Sequence, residues 1–130
     1  MRNKEFELQK AVCQYIREKY PDVIYNSDLS GIRLPIGVAK QLKMLRSWRG
    51  FPDIVIYEPV KIEKQIYCGM FLELKVENTK LYKRDGSCSE HIKEQAEMLK
   101  ALLVRGYWAD FAIGYDDAIR KIEYYLNFKK

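Results

Sequence analysis

The chain has 130 residues, 48% hydrophobic and 32% charged, which suits a single globular, soluble domain spanning 1–130 and excludes a disordered chain. Its apolar runs, such as Ile54–Tyr57 and Ala101–Val104, fall far short of the roughly 18 residues a bilayer span needs, and its first residues lack a signal peptide's apolar stretch; no membrane partner and a cytoplasmic location are expected. A net charge of +5 and a pI near 9.0 favour an anionic partner, nucleic acid first, although charge alone leaves that open.

In chain order, residues 4–19 read as an amphipathic helix ended by Tyr20-Pro21, and Val23-Ile24-Tyr25 as a short strand. Residues 26–37 are rich in turn formers and read as a loop; Val38 to Trp48 reads as a basic helix. Gly50-Phe51-Pro52 interrupts the chain before a buried strand, Ile54-Val55-Ile56-Tyr57. Tyr67 to Val76 reads as one further strand, paired with its predecessor, and 80–87 as a polar loop. Ser89 caps a helix that runs to about Arg105 and stops at Gly106; Trp108–Ile113 is a core strand, and a last helix runs from Asp116 to near Leu126. The order αβαββαβα predicts an α/β fold, a small mixed sheet flanked by helices.

Cys13, Cys68 and Cys88 are odd in number and far apart, and no Cys-x-x-Cys pair occurs, so neither a disulfide framework nor a structural zinc site is expected. The single histidine, His91, reads as a polar residue at a helix start rather than as a ligand or base.

The chemistry begins at Phe71-Leu72-Glu73-Leu74-Lys75. Strand alternation points Glu73 and Lys75 to one face and Leu72, Leu74 and Val76 to the other. Alone, an acid and a base on one strand face read as a salt bridge. Asp53 opens an apolar strand after Gly50-Phe51-Pro52, and alone it reads as a turn aspartate. Together they say more, because adjacent strands bring Asp53 and Glu73 close. Two such carboxylates repel unless a cation lies between them, and a hard divalent ion such as Mg²⁺, with Mn²⁺ as a substitute, suits oxygen ligands. Such an ion activates water and neutralises phosphate charge, and Lys75 would orient that water or stabilise the transition state. That set describes phosphodiester hydrolysis.

Helical periodicity adds two candidates. Glu5 and Gln9 fall in line with Val12 and Ile16 on the apolar face of the first helix, whereas Glu7 points away; a frayed first turn explains Glu5 equally well. In the later helix Ile92, Ala96, Leu99 and Leu103 form the expected buried stripe, with Gln95 at its edge facing the sheet, as a site residue or an ordinary boundary glutamine.

These residues lie in a longer ordered set: Glu5-Phe6-Glu7-Leu8-Gln9, Gly31-Ile32-Arg33, Gly50-Phe51-Pro52-Asp53-Ile54, Gly69-Met70-Phe71-Leu72-Glu73-Leu74-Lys75, Glu94-Gln95-Ala96-Glu97, Arg105-Gly106-Tyr107 and Gly114-Tyr115-Asp116-Asp117-Ala118. In that set the chain resembles the VRR-NUC domain, the virus-type replication-repair nuclease branch of the PD-(D/E)XK superfamily, in its short stand-alone phage and bacterial form. The resemblance implies a restriction-endonuclease-like core, with Asp53, Glu73 and the Leu74 backbone carbonyl as metal ligands and Lys75 as catalytic lysine. Glu5 would match the family's first-helix acid and Gln95 its helix glutamine. The chain departs from the family between Lys75 and Gln95, where a longer link carries Lys80, Lys83, Arg84 and Cys88.

Arg33 and the evenly spaced Lys40, Lys43, Arg46 and Arg49, with Trp48 and Tyr82 nearby, read as phosphate contacts or as a solvated helix face. No base-reading motif is present, so recognition of DNA structure is expected over recognition of sequence. The resemblance implies branched or four-way-junction DNA as substrate and a homodimer as the working form. The sequence shows no clear dimer face: Tyr124, Tyr125 and Phe128 are either one or core. The rival reading is a non-catalytic nucleic-acid-binding module that keeps the nuclease fold.

Overall fold

The computed structural model describes residues 3–28 and 33–130. Helix α1 (Lys4–Lys19) is opened by Asn3, whose Oδ1 accepts from the Phe6 N–H at 3.2 Å. It buries Gln9, Val12 and Ile16, the face expected from periodicity. Strand β1 (Tyr25–Ser27), helix α2 (Ile36–Met44), β2 (Ile54–Ile56), β3 (Val60–Ile62), β4 (Gln65–Tyr67) and β5 (Met70–Lys75) follow. The chain continues with α3 (Glu90–Leu103), β6 (Trp108–Ile113) and α4 (Tyr115–Leu126).

The main sheet runs β1-β2-β5-β6, antiparallel except for the parallel β5–β6 pair. It is the small mixed sheet with helices on its faces that the element order predicts. On one face Met70, Leu72 and Leu74 join Val12, Ile16, Ala118 and Ile122 of α1 and α4 in the main core. On the other, Phe71 packs with Ala109 and Phe111 against Ile92 and Leu99 of α3. Among the described residues no helix is long and apolar enough to cross a membrane.

The open edge of β6 is closed by side chains. Trp108 and Gly114 donate their N–H groups to carbonyls of Gly69 and Lys75, so by alternation Phe111 and Ile113 present theirs to the outside. Lys121 Nζ donates to the Phe111 carbonyl at 2.6 Å, and Asp117 Oδ2 accepts from the Ile113 N–H at 3.0 Å. Edge groups satisfied in this way are poor templates for another strand.

Several expected boundaries move. The first strand lies two residues later than expected, because Tyr25–Ser27 pairs with Ile54–Ile56 while Val23 drops into the core. The single strand expected over 67–76 is broken at Cys68-Gly69; its start pairs with β3 in a separate hairpin. That hairpin turns at Glu63-Lys64 with Glu63 at φ 57, a turn with no glycine, asparagine or proline to betray it. The basic helix ends at Met44, so Arg46 and Arg49 lie in the irregular segment after it and not on its face. In α3, Met98 is buried and Leu103 is exposed, the reverse of the expected stripe at those turns. Tyr125 is core, its hydroxyl donating to the Glu58 carbonyl at 2.6 Å, whereas Tyr124 is half exposed and edge-on to Phe128. Residues 29–32 of the expected loop, including Gly31 and Ile32, lie outside the described residues.

Candidate active site

The start of β2 and the end of β5 meet because these strands are antiparallel. Ile54 pairs with Leu72, and one further step of that register sets Asp53 opposite Glu73. Contacts at the preceding turn, at its carbonyl and at its carboxylate hold Asp53 there. Gly50, at φ +75, seats against α3: a Cβ at this position would stand 3.1 Å from the Glu94 carbonyl carbon and oxygen and 3.2 Å from Gln95 Cα. The Asp53 carbonyl accepts from the Asp28 N–H at 2.7 Å and from Ser27 Oγ at 3.2 Å. On the side-chain end, Asp53 Oδ2 accepts from the Leu74 N–H at 2.8 Å.

Gln9 completes the support. Its Nε2 donates to Ser27 Oγ at 2.5 Å and to the Asp28 carbonyl at 2.6 Å, and lies 3.5 Å from the Asp53 carbonyl. A buried amide from α1 thereby ties the end of β1 to the start of β2. Sequence reasoning placed Gln9 on the buried face but gave it no role in the site.

Asp53, Glu73 and Gln95 are all buried, and Asp53 Oδ1, Glu73 Oε1 and Gln95 Oε1 have no hydrogen-bond partner. Buried polar atoms without partners are rare, and here three lie around one cavity of about 210 Å³. Lys75, Glu5, Thr79 and His91 also line it. Burial, and then the Asp53 charge, push Glu73 up to about 10. Burial also raises Asp53, against the opposing pull of Glu73, the Leu74 N–H and Lys75. As carboxylates neither can donate to the other, so without a cation the pair is stable only when it holds a proton.

That arrangement fits a divalent ion. Among the described residues no three His, Cys, Asp or Glu side chains converge, so two carboxylates must be supplemented by backbone and water oxygens, as hard ions accept. The Leu74 carbonyl would supply the backbone oxygen. A strand residue points its N–H and C=O to the same side, and the Leu74 N–H meets Asp53, beyond the last β2 pairing.

The other expected residues divide into two groups. Gln95 is buried and lines the cavity, while Glu5 is exposed at the rim. Lys43, Arg46 and Arg49 line a second, more open hollow of about 850 Å³ that shares Glu73, His91 and Gln95 with the first. Arg33 and Lys40 are exposed but do not line it. Arg46 is held by both oxygens of Asp28 at 3.1 and 3.3 Å, and Arg49 reaches Glu94 at 3.6 Å. The helix-start residue His91 stands where the two hollows join, one turn before Gln95 on α3; its i, i+4 spacing to Gln95 was the available signal.

No family model and no curated protein matches the chain. A solved structure described as a VRR_NUC domain protein matches over 100% of this chain and 93% of that one, with a TM-score of 0.69 and 20% identity. The chain therefore shares the fold of a VRR-NUC domain protein, as the ordered motifs implied.

Proposed function

We propose that this chain is a metal-dependent DNA endonuclease that cuts branched DNA, four-way junctions included. We infer Mg²⁺ as its working ion, with Mn²⁺ as a substitute, and a homodimer acting in the cytoplasm of a bacterial or phage-infected cell. One observation carries the reading: Asp53 and Glu73 are buried face to face, each with an oxygen lacking a partner, in a cavity that Lys75 also lines.

Asp53, Glu73 and the Leu74 carbonyl would hold the ion, which when bound supplies an activated water and positive charge for the phosphate. Lys75, two residues beyond Glu73 on the same strand face, neutralises the charge that grows on the phosphate oxygens. Gln95 Oε1 is free to accept a proton donor such as the attacking water, fixing its direction. Lys43, Arg46 and Arg49 bind the backbone phosphates that lead into the cavity. A four-way junction has two-fold character, so paired copies of this site suit it.

The test incubates the purified chain with labelled four-way junction, flap, single-stranded and plain duplex DNA, with Mg²⁺, Mn²⁺ or chelator, beside an Asp53→Ala control. Metal-dependent cutting of the junction that disappears in the control is the expected result. Binding without cutting under any metal would replace the nuclease with a non-catalytic nucleic-acid-binding module.

A further inference from the structure

We infer that Trp48 stacks on an unpaired base of the DNA, so that the substrate must offer a nucleotide outside the double helix beside the cut. The inference rests on the hollow beside the site being the DNA path. Trp48 is 52% exposed, on the bend between α2 and Gly50. It lines the 850 Å³ hollow together with Lys43, Arg46 and Arg49, and this hollow continues to Glu73. Gly50 seats directly on the backbone of α3, so the indole is carried on a segment anchored at the site itself. Cations at the phosphates with an aromatic face between them is the arrangement that holds single strands, because every base has a face to stack. In an intact duplex those faces are covered by neighbouring base pairs, and the indole would meet only backbone.

Met44 and Leu45, also exposed, raise a second copy of the chain as the occupant of this surface. A two-fold contact centred on Trp48 would bring these cations near their own copies; Arg46 and Arg49 are paired with Asp28 and Glu94, and Lys43 is the cation that opposes its copy. Along the hollow three cations stand against the two acids Glu73 and Glu94, a balance that complements phosphate.

The experiment follows tryptophan emission of the full chain in chelator, titrated with a short oligothymidylate or a blunt duplex of equal length. Saturable quenching by the single strand is expected, and its loss in Trp48→Phe, since the remaining Trp108 packs against Tyr125. Trp48→Ala should weaken single-strand binding about five- to a hundred-fold while Trp48→Phe retains most of it, and duplex binding should change little. Equal quenching by duplex, or none by the single strand, overturns the inference. So does an emission change on dilution without DNA that disappears in Trp48→Phe, which would mark a contact between copies at Trp48. No cleavage occurs in chelator, so the result is independent of the nuclease proposal: stacking without cutting in metal defeats only that proposal, and cutting without stacking defeats only this inference.

Discussion

The Leu74 N–H donates to Asp53 Oδ2 at 2.8 Å, and this bond decides which oxygen of Asp53 is left over. Oδ1 has no partner, and the Asp53 carboxyl lies beside that of Glu73, whose own Oε1 is equally alone. Asp53→Asn should keep the bond from Leu74 through its amide oxygen and present an N–H₂ to Glu73. The metal-free protein is then expected to melt higher than wild type in chelator, while cleavage falls at least a hundredfold. Thermal melts in chelator beside a cleavage time course check both parts; a variant that cuts normally removes Asp53 from the site.

The pair also makes stability depend on pH. Glu73 is raised from its usual 4.5 to about 10, so the folded chain keeps a proton that the unfolded chain has released. Its contribution is complete below the unfolded pKa and is lost as pH climbs through the folded value. In chelator, the urea midpoint should fall from about pH 5 to about pH 9, and Glu73→Gln should flatten that slope. A divalent ion should oppose the fall, because it needs both carboxylates ionised and binds more tightly as pH rises.

Gln9 donates into two acceptors at the end of β1, and truncation removes both hydrogen bonds from a part-buried place. Gln9→Ala is expected to cost about 1–3 kcal/mol in denaturant unfolding. Cleavage should drop more than stability explains, since the Asp53 carbonyl loses its neighbours' alignment. Activity measured well below the melting temperature separates the two effects.

Gly50→Ala places a methyl 3.1 Å from the α3 backbone and forces an alanine to a positive φ. The expected destabilisation is about 2–4 kcal/mol, from roughly 1 for the left-handed conformation and 1–3 for overpacking. A melting temperature unchanged from wild type would show that α3 does not rest on this turn.

Lys75→Ala should reduce cleavage by about a hundred- to a thousandfold, the size expected for losing one transition-state charge partner. Metal affinity, read by calorimetry, should change far less than cleavage. In the neighbouring hollow, Lys43→Ala and Arg49→Ala should each weaken DNA binding across all sequences and lower the salt slope by about one. Binding measured at several salt concentrations checks this, and Arg46→Ala should add a loss of stability through its partner Asp28.

What the sequence determined by itself was local. Alternation in Phe71–Lys75 places Glu73 and Lys75 on one face, Ser89 caps α3 through the Ile92 N–H, and periodicity buries Gln9, Val12 and Ile16; each follows from the neighbouring residues' own geometry. The ordered motifs also pointed to the fold that the solved VRR-NUC domain structure shares. Tertiary structure decided what depends on distant partners. Glu63-Lys64 carries no turn signal, and the hairpin exists because β3 and β4 pair. Arg46 looked like a free helix-face cation and is instead held by Asp28, eighteen residues earlier. By periodicity Gln95 reads as either a site residue or a boundary glutamine, and the structure buries it beneath the Gly50 turn that seats on α3. The register of β2 against β5 is the decisive case: two carboxylates twenty residues apart become one buried pair only when antiparallel pairing sets them opposite each other.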